Sequence, residues 1–131
     1  MTHTTMTPEE RETGRVFAPK YDATGLLTAV VVNARSGAVL VVAHMNDAAL
    51  SATIDTGNVH FWSRSRGKLW MKGESSGNVL KVASIAVDCD QDALVIRADP
   101  AGPTCHTGAE SCFYRLLSSK DGALELQPIG T

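Results

Sequence analysis

Four short runs rich in β-branched residues constrain the fold most: LLTAVVVN (26–33), AVLVVAH (38–44), VLKVASIAVD (79–88) and ALVIRA (93–98). Val, Ile and Thr lose rotamer freedom in a helix and pack well on a pleated surface, so each run predicts a strand. The first two flank the glycine-containing turn ARSG and predict a hairpin. VHFWSRS (59–65) and KLWMKG (68–73) flank Arg66-Gly67 and predict a second one. FYRLL (113–117) reads as a final strand, with LELQP (124–128) as a possible added edge strand. Helical signals are short. TPEER has Thr7 as cap, Pro8 at the first position and acids in the first turn; NDAALSATIDTG (46–57) is capped by Asn46 and ended by Gly57. AGPTCHTGAES (101–111) is a loop by composition, and the chain carries no internal repeat. The expected class is α+β, predominantly β: a single compact β-rich domain with one or two short helices.

The 131 residues suffice for one core and are too few for two ordinary domains. With 44% hydrophobic and 20% charged residues the chain is globular, and a net charge of −2 gives no overall attraction to nucleic acid. No apolar run approaches the roughly 18 residues that span a bilayer, so neither nucleic acid nor membrane is an expected partner. The opening MTHTTMTPEERETG is polar and acidic and has no signal-peptide core. Three cysteines in such a chain point to metal-binding or catalytic thiols in a reducing compartment, the cytoplasm, or else to inert buried thiols.

VDCDQDA (87–93) places Asp88, Asp90 and Asp92 at alternate positions around Cys89. If the preceding strand continues through them, the period of two puts the three carboxylates on one face and Cys89 on the other. Like charges so crowded raise one another's pKa unless a cation lies among them. A hard cation with oxygen ligands, Mg²⁺ before Ca²⁺, removes the conflict. The alternative is a solvated acidic turn.

Cys89, Cys105 and Cys112 form no C-x-x-C pair, which argues against a zinc ribbon. Three thiolates and one open position make a pattern suited to catalytic Zn²⁺. His106 follows Cys105 within GPTCHTG and is a candidate general acid/base, or a loop histidine with a structural hydrogen bond. Arg64, Arg66, Lys68 and Lys72 fall within nine residues, flanked by Trp62 and Trp70. Guanidinium forks suit phosphate oxygens and an indole stacks on a base, although a solvated basic hairpin has the same composition.

VHFWSRSRGKLWMKGESSGN, VDCDQDA and GPTCHTGAESCFYR, in this order and spacing, resemble the phosphoribosyl-AMP cyclohydrolase family of histidine biosynthesis. AHMNDAAL (43–50) adds to the resemblance, with His44 where the family more usually has Tyr. The likeness covers roughly residues 20–118, leaving 1–15 as an unmatched extension to a domain over 16–131. It implies a monofunctional hydrolase, since the phosphoribosyl-ATP pyrophosphatase fused to it in many bacteria is expected elsewhere. The implied reaction adds water at purine C6 of phosphoribosyl-AMP and breaks the N1–C6 bond. The resemblance further implies Zn²⁺ on Cys89, Cys105 and Cys112, Mg²⁺ on Asp88, Asp90 and Asp92, and a homodimer. Cys89 of one subunit is then expected to join Cys105 and Cys112 of the other. His106 is expected to move protons, and Arg64, Arg66, Lys68 and Lys72 to hold phosphates. A zinc nucleobase deaminase is the nearest competing reading, but its H-x-E and P-C-x-x-C motifs are missing. A zinc-stabilised nucleic-acid-binding module is the other.

Overall fold

The computed structural model describes residues 6–129; the first five residues of the predicted extension lie outside them. Among the described residues are two short helices and eight strands. Helix α1 (Pro8–Thr13) is capped as predicted, Thr7 Oγ1 accepting from Glu10 N. Strands β1 (Leu27–Asn33) and β2 (Val39–Met45) form the first hairpin, and helix α2 (Asp47–Thr56) follows. Asn46 accepts from Ala49 N at 2.9 Å, and Gly57 ends the helix at φ 75°. Strands β3 (His60–Ser63) and β4 (Lys68–Met71) form the second hairpin, β5 (Leu80–Val87) and β6 (Ala93–Pro100) a third, and β7 (Arg115–Lys120) with β8 (Ala123–Pro128) a fourth.

The central sheet has the order β2-β1-β6-β5. All its pairs are antiparallel except β1 with β6, which run parallel in register Thr28↔Ala93 through Asn33↔Ala98. Leu27, Ala29 and Val31 of β1 and Leu94, Ile96 and Ala98 of β6 alternate onto one face, where they join Ala49 and Leu50 of α2 and Phe61 of β3 in the core. Burying a side chain of leucine size stabilises by roughly 1.5–3 kcal/mol, so this face holds the sheet and its cover together. The opposite face carries the row Val42, Val30, Val95 and Ala86, and Val42 and Val95 remain about 40% exposed. The β7–β8 hairpin is exposed along nearly its whole length, including Leu116, Leu117, Leu124 and Leu126.

Several predicted runs end early. β3 stops at Ser63, because the Ser63 hydroxyl takes the Arg66 N–H and Gly67 turns the chain at φ 56°. Phe113 precedes its strand, its N–H taken by the Ser111 hydroxyl. β5 ends at Val87, so strand alternation does not place the three aspartates.

Candidate active site

The aspartates are gathered by a turn instead. Asp88 Oδ1 accepts from Asp92 N at 2.9 Å and Ala93 N at 3.1 Å, and Gln91 N closes on Asp88 O at 3.1 Å. Gln91 takes the left-handed region, φ 60°. This brings one carboxylate oxygen from each of Asp88, Asp90 and Asp92 within 4.8 Å of the others. Among the described residues it is the one group of three such side chains placed to hold a metal ion. Partial desolvation works against ionisation of Asp88, but hydrogen bonds from Asp92 and the Ala93 N–H outweigh it and hold its pKa below the ordinary value. Asp92 is pushed the other way, to about 6, first by sharing hydrogen bonds with Asp88 and Asp90. Two carboxylates bridged by a proton mark a place where a cation relieves the same repulsion, so the donor set fits a hard divalent ion.

The 101–112 loop presents the other thiols. Cys105 is buried, and Thr107 Oγ1 donates to its Sγ at 3.1 Å. That hydrogen bond, with further help from the Thr107 N–H, Cys112 and the Lys72 charge, holds the Cys105 thiol below its usual range. Cys112 lies against it and is pushed up by desolvation and by the Cys105 charge. Two adjoining soft donors near a lysine fit Zn²⁺. Cys89 does not join them within the chain. It lines a separate hollow of about 280 Å³ with Asp88, Val87 and the N-terminal segment at Arg11 to Phe17.

A larger cleft of about 610 Å³ opens between the β3–β4 hairpin and this loop. Trp62, Arg66, Lys68, Trp70, Lys72 and His106 line it, together with Ala43 and His44 of β2. Trp70 is fixed by packing on Phe61, ring centroids 5.4 Å apart, and Lys72 Nζ lies 5.7 Å from the Trp70 centroid. Arg66, Lys72, Cys105 and His106 also border an adjoining hollow of about 400 Å³ lined by Ser75, Ser76 and Thr104. Thr104 Oγ1 is buried there with no partner among the described residues. Asn78 braces the two walls: a Cβ on Gly73 would strike its backbone and one on Gly102 its side chain.

Of the predicted residues, Trp62, Trp70, Arg66, Lys68, Lys72 and His106 thus share one cleft, while Arg64 is not among its lining side chains. Arg64 still acts on the cleft through its field, since desolvation first and the Arg64 charge second hold His44 below the ordinary histidine pKa. Sequence reasoning noted His44 only as a departure and missed Thr107 as the partner of Cys105. The T-C-H-T order was visible, but nothing local says which hydroxyl turns to the sulfur.

A β-rich α+β fold with an acidic triad, a thiol pair and a cleft lined by cations and indoles suits the class of metal-dependent enzymes. A family model described as phosphoribosyl-AMP cyclohydrolase matches residues 41–114. Curated proteins of that name match along most of their length. The one from Rhizorhabdus wittichii is 58% identical over 114 residues, 87% of this chain and 91% of that protein. Those from Erythrobacter litoralis and Brucella anthropi are 59% and 56% identical over 117 residues, covering 89% and 88% of this chain and 92% and 83% of those proteins. The chain belongs to the phosphoribosyl-AMP cyclohydrolase family.

Proposed function

We propose that this protein hydrolyses the N1–C6 bond of phosphoribosyl-AMP in the cleft between the β3–β4 hairpin and the 101–112 loop. The observation that carries the reading is the meeting, at one wall, of His106 and the Cys105–Cys112 pair with Trp62, Trp70 and three cations. The indoles offer faces for the purine, and Arg66 and Lys68 suit the two phosphates. Lys72 has a second task, because its charge favours both thiolates.

Cys105 and Cys112 would hold Zn²⁺ with Cys89 of the partner subunit, and Asp88, Asp90 and Asp92 would hold Mg²⁺. When bound, Zn²⁺ supplies Lewis acidity that makes water nucleophilic near neutral pH, and Mg²⁺ neutralises phosphate charge. His106 accepts the proton of the attacking water and delivers it to N1 as the N1–C6 bond breaks. Support for a homodimer comes from three directions. The single chain leaves Cys89 in a different hollow from the other thiols. The β7–β8 hairpin exposes four leucines. The row through Val42 and Val95 leaves one sheet face uncovered. A lone two-stranded hairpin is marginal in water, so a second copy covering it accounts for its order.

Among the described residues no helix is long and apolar enough to cross a membrane, and the reading places the enzyme in the cytoplasm with its nucleotide substrate. The test is incubation of the zinc- and magnesium-loaded protein with phosphoribosyl-AMP, following ring opening by absorbance and ammonia by a coupled assay. Ring opening without ammonia is expected. Stoichiometric ammonia would mean deamination at the same carbon, and neither product would remove the assignment.

A further inference from the structure

Gln91 stands between two members of the acidic triad, yet its side chain points away from solvent and is only 7% exposed. A buried amide must find partners for its oxygen and its two N–H groups. Here they come from the N-terminal segment. Oε1 accepts from Ala18 N at 2.7 Å, and Nε2 donates to Arg11 O at 3.0 Å and Val16 O at 3.3 Å. The Gln91 carbonyl accepts from Lys20 N at 2.7 Å, and Arg11 Nε donates to Ala18 O at 3.2 Å, drawing the segment closed. Backbone groups of Arg11, Val16, Ala18 and Lys20 therefore converge on one residue more than 70 positions away in sequence.

We propose that Gln91 is a positioning residue for the acidic site: residues 11–20 form a strap that, through the Gln91 amide, holds the 88–92 turn so that its three carboxylates converge. The inference rests on the reading that Asp88, Asp90 and Asp92 hold a divalent cation. Three carboxylates within 4.8 Å repel, and the repulsion pushes the turn open. The turn's internal bonds run between residues 88 and 93 and move with it. The strap's bonds tie it to a different part of the chain. Gln91 also sits at φ 60°, where a residue with a Cβ is uncommon and must be held by its surroundings. A site held open to the ion in advance binds it more tightly than one that must first be assembled against its own charge.

The experiment titrates Mn²⁺ into the zinc-loaded protein and reads free Mn²⁺ by electron paramagnetic resonance. Wild type is compared with Gln91→Gly, a truncation lacking residues 1–18, the two combined, and Asp90→Asn. Glycine accepts φ 60°, so Gln91→Gly leaves the backbone conformation of the turn accessible while removing the side chain and its amide. Gln91→Gly should weaken Mn²⁺ roughly tenfold or more, the usual effect of losing a partner that orients a metal ligand. The truncation should do the same, and the combination no more than either, because both remove one shared contact. Zinc content should be unchanged, and substrate KM at saturating Mg²⁺ should stay within about twofold while the Mg²⁺ needed for half-maximal rate rises. Mn²⁺ affinity within about twofold of wild type in both single variants overturns the inference, as do effects that simply add. If Gln91→Gly does not fold, the truncation, which leaves the sequence of the 88–92 turn unchanged, decides alone. Equal Mn²⁺ binding by wild type and Asp90→Asn would remove the cation site itself, and the strap's role with it.

Discussion

Cys105 and Cys112 adjoin each other in unequal fields. Thr107 donates to the Cys105 sulfur, whereas desolvation dominates at Cys112. In zinc-free protein Cys105 should therefore be alkylated at lower pH than Cys112, and Thr107→Val should shift the Cys105 profile upward and, by delaying the Cys105 charge, move that of Cys112 slightly downward. Mass spectrometry after iodoacetamide labelling across pH reads both. Cys105→Ser should lose zinc and activity together, since a hydroxyl is a far poorer ligand than a thiolate; an active zinc-free variant would refute the zinc assignment. The aspartates make a separate prediction. Asp92 has a folded pKa of about 6, above its ordinary 3.8, so its stabilising protonation is complete below 3.8 and lost as pH rises through about 6. Asp92→Asn should accordingly raise the melting temperature of the magnesium-free protein at pH 7 more than at pH 5. Calorimetry at the two pH values checks the sign.

At the scale of elements, the cleft depends on how the loop after β4 packs on the loop after β6. Gly73 sits at φ 84° with the Asn78 backbone against the place a Cβ would occupy, and Ala101 N donates to Val79 O at 2.9 Å beside it. Gly73→Ala combines a strained φ with a backbone clash, and should cost roughly 1–3 kcal/mol of stability. It should also raise KM more than it lowers kcat, because Lys72 and the serines of the adjoining hollow move while His106 stays on its own loop. Helix α2 was legible from its sequence because both ends are local: Asn46 caps one and Gly57 turns the other. The end of β5 was not, because the Asp88 side chain, by bonding to Asp92 N and Ala93 N, competes with the strand for backbone donors.

For the whole molecule, the two-subunit reading makes a numerical prediction. Subunits carrying Cys89→Ala and Cys105→Ala are each inactive alone. After exchange, a heterodimer collects both lesions in one composite site and leaves the other intact. Random pairing makes about half the dimers mixed, so activity should return toward roughly one quarter of wild type. Exchange demonstrated with mass-tagged subunits and no recovered activity would place the zinc site within a single chain.

The sequence by itself determined the α+β class, both helices, the four hairpins' strands to within a few residues, and the types of chemistry present, because periodicity, caps and motif spacing are local properties. Five residues of the basic cleft were also legible there, since Trp62, Arg66, Lys68, Trp70 and Lys72 sit on one hairpin and the turn that follows it. Tertiary structure alone decided the rest. The parallel pairing of β1 with β6 joins two hairpins that carry no mark of each other. The same assembly sets Cys89 in a hollow apart from Cys105 and Cys112. It also turns Gln91 inward to meet Arg11, Val16 and Ala18. Such contacts are selected by the burial and hydrogen-bond satisfaction of groups far apart in the chain, and no window of neighbouring residues contains both partners.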